Sequence, residues 1–365
     1  MKSQDLLFYV ATSMLQAVGP IKAKQLISYL GNPEQIFKES RRNLEKIPTI
    51  GPIIAKEIKD NDVLSKAEKE VEYILKNNIS TYVYVEDTFP FRMKNCEDSP
   101  LLFYCKGNVD FNAQKIISIV GTRNATEYGR QCCKNLINDI KAHNPIIVSG
   151  LAFGIDACAH KESLNAGLET IAVLGSPLCN VTPASNIDIA RSIVKQGCVI
   201  SEYHSKTLLD SKLYVRRNRI IAALSDATII VESKEKGGAL ITADFAMQYN
   251  RDVCAFPGNA GNKFSQGCNN LIKTNGAALI ENGADLEKIL NWDIPEKKAI
   301  QKSLFINISE EEQKIIDYLS EQPDTTIDKI AIECGIPMSR LSSLLLNLEF
   351  SGLVIRLPGS RFRTT

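Results

Sequence analysis

The chain has 365 residues, and its 43 lysines and arginines almost balance its 42 aspartates and glutamates, which gives a formal net charge of +1 at pH 7. At about 100 to 200 residues per domain, this length predicts two or three globular domains. The balanced charge excludes a general attraction of the whole chain to nucleic acid or membrane, so an anion has to bind at a local cluster of basic residues.

The cysteines and histidines argue against a metal site. Ten cysteines are scattered without C-x-x-C spacing, and the chain has only three histidines. This usage predicts reduced core thiols and neither a metal nor a disulfide framework. The first residues lack the basic start and apolar stretch of a signal peptide, and no window reaches the ~18 uninterrupted apolar residues of a membrane span. We therefore expect a cytoplasmic protein that has no membrane partner.

Residues 1–78 carry apolar residues at helical spacing and predict a helical domain of the helix-hairpin-helix or SAM-like kind. Two of its stretches resemble each other, AVGPIKAKQLI at 17–27 and TIGPIIAKEI at 49–58. Each places Gly-Pro at a helix start. Such a unit either holds a DNA phosphate on the N–H groups of the helix start or serves only as packing, and the pattern leaves both interpretations open.

Residues 79–290 alternate short, β-branched apolar runs with amphipathic helical segments. Runs without polar alternation are typical of parallel strands that are covered on both faces. The region therefore predicts an α/β domain with a Rossmann-like, doubly wound, mostly parallel sheet. The predicted strands lie at 115–121, 145–150, 170–176, 198–202, 227–233, 252–258 and 277–280.

Residues 291–308 are polar and charged and predict a linker, and 309–365 predict a winged-helix domain. Ser309 and Glu312 have the spacing of a capping box, three helical segments follow, and two short strands are expected on either side of Pro358-Gly359. The last of these helices has one arginine, Arg340, and is rich in leucine, so we expect a face that packs against protein more than one that reads DNA. Its apolar stripe consists of Leu341, Leu344, Leu345 and Leu348.

The loop after the first strand of the α/β region reads VGTRNATEYGR and offers three groups to an anion. Gly121 permits close approach to the backbone, Thr122 supplies a hydroxyl, and Arg123 can donate two hydrogen bonds to one phosphate. Neither G-x-G-x-x-G nor G-x-x-x-x-G-K-[ST] is present, so the loop predicts phosphate binding without ATP, NAD or another cofactor. In a doubly wound sheet such loops meet at the carboxyl ends of the strands.

The loop after the second strand, SGLAFGIDACAH, contains Ser149, Gly150 and Gly154 before a helix start. Asp156 and His160, one helical turn apart, are either a polar pair at the site or an ordinary helix start and helix residue.

A later loop, PGNAGNKFSQGCNNLI, combines several glycines with Lys263 and Asn269. It is either a donor-rich binding loop or a surface loop.

A basic cluster of Arg216, Arg217 and Arg219 with Lys212 is predicted on the loop and first helical turn before the strand at 227–233. Clustered guanidinium groups beside exposed glycine N–H groups suit a chain of phosphates more than a single small nucleotide. Helical spacing places Arg216 and Arg219 on one face and Arg217 on another, so we expect one of the three to be a surface or salt-bridged residue.

These motifs closely resemble those of the DNA-processing protein A family (DprA, also called Smf), in the family's order and spacing. The matching stretches are IVGTRNATEYGR, VSGLAFGIDACAH, VISEY, RRNRIIAALSDATIIVE, GGALITA and FPGNAGNKFSQGCNNLI. The chain departs from the family in two places. Thr182-Pro183 stands where a Tyr-Pro pair is often found, and Gly238-Ala239 stands where Gly-Ser is usual, which removes a hydroxyl donor.

The resemblance implies a homodimeric, cytoplasmic protein that binds and protects single-stranded DNA and loads a RecA-type recombinase on it during natural transformation. It implies no cofactor and no metal. The residues expected to bind DNA are Gly121, Thr122, Arg123, Ser149, Gly150, Gly154, Lys212, Arg216, Arg217, Asn218, Arg219, Gly237, Gly238, Lys263 and Asn269.

Two other functions are considered. A nucleoside-monophosphate phosphoribohydrolase on a related sheet would carry PGGxGTxxE, but here Leu240 and Ile241 replace Gly and Thr, and the acid is Asp244. That replacement is poor support for glycosidic chemistry. An adaptor that only bridges proteins would leave the arginine cluster unused. We therefore expect a DNA-binding protein that is not an enzyme.

Overall fold

The structure is a computed structural model that describes residues 3–60, 62–292, 309–357 and 360–364. The predicted linker at 291–308 lies almost entirely outside the described residues, and so does the predicted turn at Pro358-Gly359. The chain forms two compact units, Met1–Asp293 and Ile294–Thr365, which are described one at a time.

The first unit begins with helices, as predicted. Two of them start at Pro20 and Pro52, directly after the glycines of the two similar stretches. The apolar faces of the helices share one hydrophobic core with Val83, Leu102 and Tyr104 of the following strands. A separate domain boundary near residue 78 therefore stays a prediction. The helices are α1 (Ser3–Ser13), α2 (Pro20–Leu30), α3 (Pro33–Lys38), α4 (Arg41–Leu44), α5 (Pro52–Asp60) and α6 (Val63–Lys76).

A nine-stranded sheet follows, in the order β1-β2-β6-β5-β4-β3-β7-β8-β9. All pairs from β6 to β9 are parallel, whereas β2 pairs with β6 and β1 pairs with β2 in antiparallel fashion. The seven predicted strands are confirmed as β3 to β9, and the two antiparallel strands were not predicted. The strands are β1 (Ser80–Val83), β2 (Leu102–Gly107), β3 (Ile116–Val120), β4 (Ile146–Ser149), β5 (Thr170–Val173), β6 (Gly197–Ser201), β7 (Ala227–Ile230), β8 (Asp252–Ala255) and β9 (Ala278–Leu279).

Helices cover both faces of the sheet, which explains why its strands are apolar without alternation. In β3, Ile116 and Val120 pack into the core on one face, whereas Ile117 and Ile119 pack into the core on the other. The helices are α7 (Phe91–Lys94), α8 (Glu127–Ile140), α9 (Ile155–Asn165), α10 (Ile187–Gln196), α11 (Ser211–Leu224), α12 (Gly238–Gln248), α13 (Gln266–Lys273) and α14 (Gly283–Ile289).

The strand order reverses at β3, and this reversal positions the site. From β3 the chain moves outward through β4 and β5 to β6, and then crosses back to β7 on the other side of β3. The loops that leave β3 and β7 therefore diverge at their carboxyl ends and open a crevice, which is where ligands bind in doubly wound sheets.

The second unit has the order of elements of a winged helix, which confirms the prediction. Ser309 and Glu312 form the predicted capping box. The strands form a small sheet in the order β10-β12-β11. Its elements are α15 (Glu310–Glu321), β10 (Thr325–Thr326), α16 (Ile327–Cys334), α17 (Met338–Phe350), β11 (Val354–Leu357) and β12 (Arg361–Thr364).

The leucine stripe of α17 fills the interior of the winged helix itself. Leu341, Leu345 and Leu348 are buried there beside Val354 and Phe362, and Leu344 packs against them. The expectation that this stripe forms a protein-packing face is therefore wrong, because so small a unit needs these side chains for its own core.

Thiols, possible metal ligands and helix lengths can be read from the described residues. The ten cysteines are free thiols, and six of them are buried. No three histidine, cysteine, aspartate or glutamate side chains in the described ranges lie together as a metal site requires. The helices of the described part are all too short or too polar to span a lipid bilayer.

Candidate nucleic-acid interface

Two adjoining cavities lie at the carboxyl ends of β3, β4 and β7, and we call them together the groove. The first has a volume of about 400 Å³ and the second about 320 Å³, which is the size of small-ligand sites. They share five lining residues, Arg123, Ala152, Ser211, Tyr214 and Arg217. The groove therefore runs continuously from the loop after β4 to the start of α12.

Arg123 lies on a loop that the end of β7 holds in shape. The Thr122 N–H donates to the Glu232 carbonyl over 2.8 Å, and the buried Glu232 carboxylate accepts from the Thr126 N–H at 2.9 Å and its hydroxyl at 2.6 Å. A Cβ on Gly121 would lie 2.6 Å from a side-chain carbon of helix α9, so this position requires glycine. The loop leaves the Arg123 side chain exposed on the lining of both cavities, and no acidic side chain among the described residues pairs with it.

Arg217 projects from α11 into the groove and is 4% exposed. Its Nη1 group donates to the Val173 carbonyl at the end of β5. A Cβ on Gly150 would lie 2.0 Å from that nitrogen, so Gly150 provides the space for the guanidinium group. Asp156 lines the second cavity together with Arg217. Burial raises the pKa of the Asp156 carboxyl, and the positive charge of Arg217 opposes that rise.

Arg219 does not line the groove. It is 8% exposed and donates a hydrogen bond to the Glu202 carboxylate in a buried ion pair. Burial acts to lower the pKa of Arg219, but the charges of Glu202 and Asp98 outweigh burial and the pKa is raised. Its guanidinium group is therefore already neutralised by the protein. Contrary to the prediction, we do not expect Arg219 to contact DNA.

Helix α11 thus separates its three arginines by role. Arg216 and Lys212 are both exposed. Neither of them lines the groove. Asn218 does line the second cavity, and its side-chain amide donates to the Gly238 carbonyl over 3.3 Å. Of the basic residues predicted on this helix, only Arg217 lines the groove.

The start of α12 forms the far wall of the second cavity. Gly237, Gly238 and Ala239 line it, together with Ser233 and Lys234 from the end of β7. The first turn of a helix leaves its N–H groups without intrahelical partners, and they favour anions. A Cβ on Gly237 would lie 2.1 Å from the Ser233 hydroxyl, so a larger residue here would displace that side chain. Ala239 is buried at the position where the missing serine would have offered a hydroxyl.

Several predicted contacts serve the fold and do not reach the groove. The Ser149 hydroxyl is buried and donates to the Ile119 carbonyl over 2.6 Å. Asn269 bridges both backbone groups of Gly258, donating over 2.8 Å and accepting over 3.1 Å. Lys263 is exposed, but the loop after β8 that carries it does not line either cavity. These three residues remain predictions that the geometry does not support.

Asp156 and His160 do not form a polar pair. His160 is fully buried, its Nδ1 lies 2.7 Å from the Thr170 hydroxyl, and burial lowers its pKa to about 3. The Asp156 carboxylate instead accepts from the Ala152 N–H over 3.4 Å. Asp156 therefore belongs to the groove, whereas His160 is a neutral core residue.

The first cavity has apolar lining residues that were not predicted from the sequence. Phe153, Leu209 and Tyr214 line it beside Thr182 and Pro183. Tyr214 lies next to Thr182, the residue that stands where the family often has tyrosine. The two hydroxyl groups are 2.8 Å apart. For Phe153 the available signal was a large apolar residue directly before Gly154 in a loop. Leu209 and Tyr214 have no such neighbour.

Fold and groove define the class of protein: a doubly wound α/β protein with an arginine-lined groove at the point where its strand order reverses. The chain belongs to the DNA recombination-mediator protein A family, whose model matches residues 80–291, and the model of the DprA winged helix domain matches 298–360. The first relative, a protein Smf of a Synechocystis species, is 30% identical over 400 residues and covers 100% of both chains.

Two solved structures of this family are similar to the chain. The DNA processing protein A of Streptococcus pneumoniae has 29% sequence identity and a TM-score of 0.66, over 77% of this chain and 96% of that one. The protein from Helicobacter pylori, described by its single-stranded DNA binding mode, has 27% identity and a TM-score of 0.54, over 59% of this chain and 96% of that one.

Proposed function

We propose that this protein binds single-stranded DNA in the groove, protects it, and loads a RecA-type recombinase on it in natural transformation. The observation that carries the proposal is the convergence of Arg123, Arg217 and the first turn of α12 on one groove at the carboxyl ends of the strands. Two positive charges and free N–H groups suit successive phosphates of one strand. The related DNA processing protein A of Helicobacter pylori, whose structure is described for its single-stranded DNA binding mode, supports this choice of ligand.

The proposal places the protein in the cytoplasm, as a homodimer, and gives it no catalytic step. Asp244, the acid that a phosphoribohydrolase would need, is exposed on the second turn of α12 and does not line the groove in the described structure. Two carboxylates line the groove: Asp156 lies near Arg217, and Asp210 caps α11 by accepting from the Lys212 N–H over 2.9 Å. No observation favours the hydrolase.

The test is a titration of labelled oligonucleotides, single-stranded against duplex, at about 50 and about 200 mM salt. We expect tighter binding of the single strand, with log affinity falling against log salt at a slope near −0.7 per phosphate neutralised. Arg123→Ala should flatten this slope by about one contact. A parent protein that prefers duplex, or whose binding ignores salt, would contradict the proposal.

Deletion of 309–365 should change single-stranded DNA affinity by no more than about threefold, which is under ~1 kcal/mol. The groove lies entirely in the first unit, and α17 offers Arg340 as its single base, already paired with Glu311 at 2.8 Å. The measurement is fluorescence anisotropy on the truncated chain, with its helical circular dichroism compared to the parent. A loss of tenfold or more in a folded protein would make the winged helix a DNA-binding domain.

A further inference from the structure

The first cavity of the groove has an apolar wall as well as arginines. Phe153 is 51% exposed and Leu209 is 47% exposed, and both line this cavity with Pro183. Phosphate binding by Arg123 and Arg217 does not need these side chains. Large apolar side chains exposed in one cavity point to a ligand with apolar faces.

The turn that carries Phe153 is fixed by its backbone. Leu151 has φ +58° although it has a side chain, and Gly154 has φ +78°. A Cβ on Gly154 would lie 2.2 Å from the Thr122 carbonyl oxygen, so the turn packs directly against the loop of Arg123. A buried non-glycine residue in the left-handed region is unfavourable and is retained where the surroundings determine it.

Hydrogen bonds hold the same turn from the other side. The Asn186 side-chain amide donates to the Leu151 carbonyl over 2.9 Å and to the Ala152 carbonyl over 3.4 Å. The Ile155 N–H donates to the Thr122 carbonyl over 3.2 Å. Because this backbone is fixed before any ligand binds, ordering it costs no conformational entropy on binding. The fold therefore presents an aromatic ring to solvent from a rigid turn beside the phosphate-binding loop.

We propose that Phe153, with Leu209 and Pro183, forms a base-stacking platform for an unpaired nucleobase of the strand whose phosphates bind Arg123 and Arg217. The inference rests on the proposed function and adds to it the reason for single-strand preference. In a duplex both faces of each base are covered by neighbouring pairs, whereas in a single strand one base can turn its face to the ring. Stacking on aromatic side chains accepts every base, so the platform selects strandedness and not sequence.

The test compares two single-stranded oligonucleotides of the same length, one of thymidines and one with abasic sites throughout. The full-length parent should bind the thymidine strand more tightly. Phe153→Ala should lower affinity for the thymidine strand about tenfold and leave the abasic strand unchanged, so that the preference disappears. Phe153→Trp should retain it. The salt dependence of Phe153→Ala should equal that of the parent, because stacking neutralises no phosphate.

Two control variants separate stacking from other effects. Leu75→Ala removes another exposed apolar side chain, 62% exposed on α6 and outside the groove, and should bind both strands as the parent does. Arg123→Ala should weaken both strands equally. Equal binding of both strands by the parent, or an equal loss of both in Phe153→Ala, would overturn the platform and leave single-stranded DNA binding intact. A parent that binds neither strand would remove the proposed function and the platform with it.

Discussion

Arg217→Ala should lower the affinity of this protein for single-stranded DNA by at least about tenfold, or ~1.4 kcal/mol. Arg217 is held in the groove by the Val173 carbonyl and by the space that Gly150 leaves, so its charge is fixed before DNA arrives. Hydrogen bonds to charged groups contribute roughly 1.5–3 kcal/mol each. The substitution also removes the positive charge that favours the ionised form of the buried Asp156 carboxyl, so the pKa of Asp156 should rise further.

The matched control is Arg216→Ala, which removes the same charge one residue earlier on the same helix. Arg216 is exposed and does not line the groove, so affinity should stay within about twofold and the salt slope should not change. Both variants are measured by anisotropy with the same oligonucleotide, after their unfolding midpoints show that each is folded. Equal losses in the two variants would mean that the basic surface of α11 attracts DNA diffusely and that the groove is not the site.

The sheet was predictable because its strands are buried on both faces. The run of β3 is apolar except for Ser118, so it is stable as a strand only where both of its faces are covered. The helical segments between such runs require parallel pairing. The strands β1 and β2 were not predicted, although β2 opens with four buried residues, Leu102, Phe103, Tyr104 and Cys105. The pattern of Ser80–Val83 mixes exposed and half-buried residues, and its pairing with β2 depends on the hydrophobic core that both share with the N-terminal helices.

The groove was predictable in part, and the arginines show where the limit lies. Helical spacing set Arg217 apart from Arg216, but it also grouped Arg216 with Arg219, and in the structure Arg216 is exposed whereas Arg219 is buried. Spacing alone does not say which face of the helix meets the loops of the sheet. The packing of Ile220 and Ile221 against the sheet core decides that, and it turns Arg217 toward Gly150. Sequence similarity to the family implied a DNA contact for Arg219. The local motif does not show that Arg219 forms an ion pair with Glu202, which lies on another element.

Phe153 illustrates a different limit. Its motif was interpreted through its glycines, as a loop for anions. Gly154 instead allows its turn to pack against the loop of Thr122 and Arg123. In that packing Phe153, the residue before Gly154, is exposed. That outcome depends on the contact with the Thr122 carbonyl, 32 residues away in sequence, and no local pattern encodes it.

Arg219→Ala should destabilise the first unit by about 3–5 kcal/mol and leave the DNA affinity of the folded protein within about twofold. The side chains of Arg219 and Glu202 are 9% and 10% exposed, so the substitution leaves an unpaired carboxylate in a buried site. Chemical denaturation measures the loss of stability. Arg191→Ala is the control, because the side chains of the Arg191–Asp188 pair are 74% and 89% exposed and the pair should contribute less than about 1 kcal/mol.

Replacing both partners, Arg219→Met with Glu202→Leu, should recover much of the stability, since neither charge of the pair then remains buried. If Arg219→Ala instead kept its stability and lost DNA binding as Arg217→Ala does, Arg219 would have to leave Glu202 and turn toward DNA, and the separation of roles along α11 would be wrong.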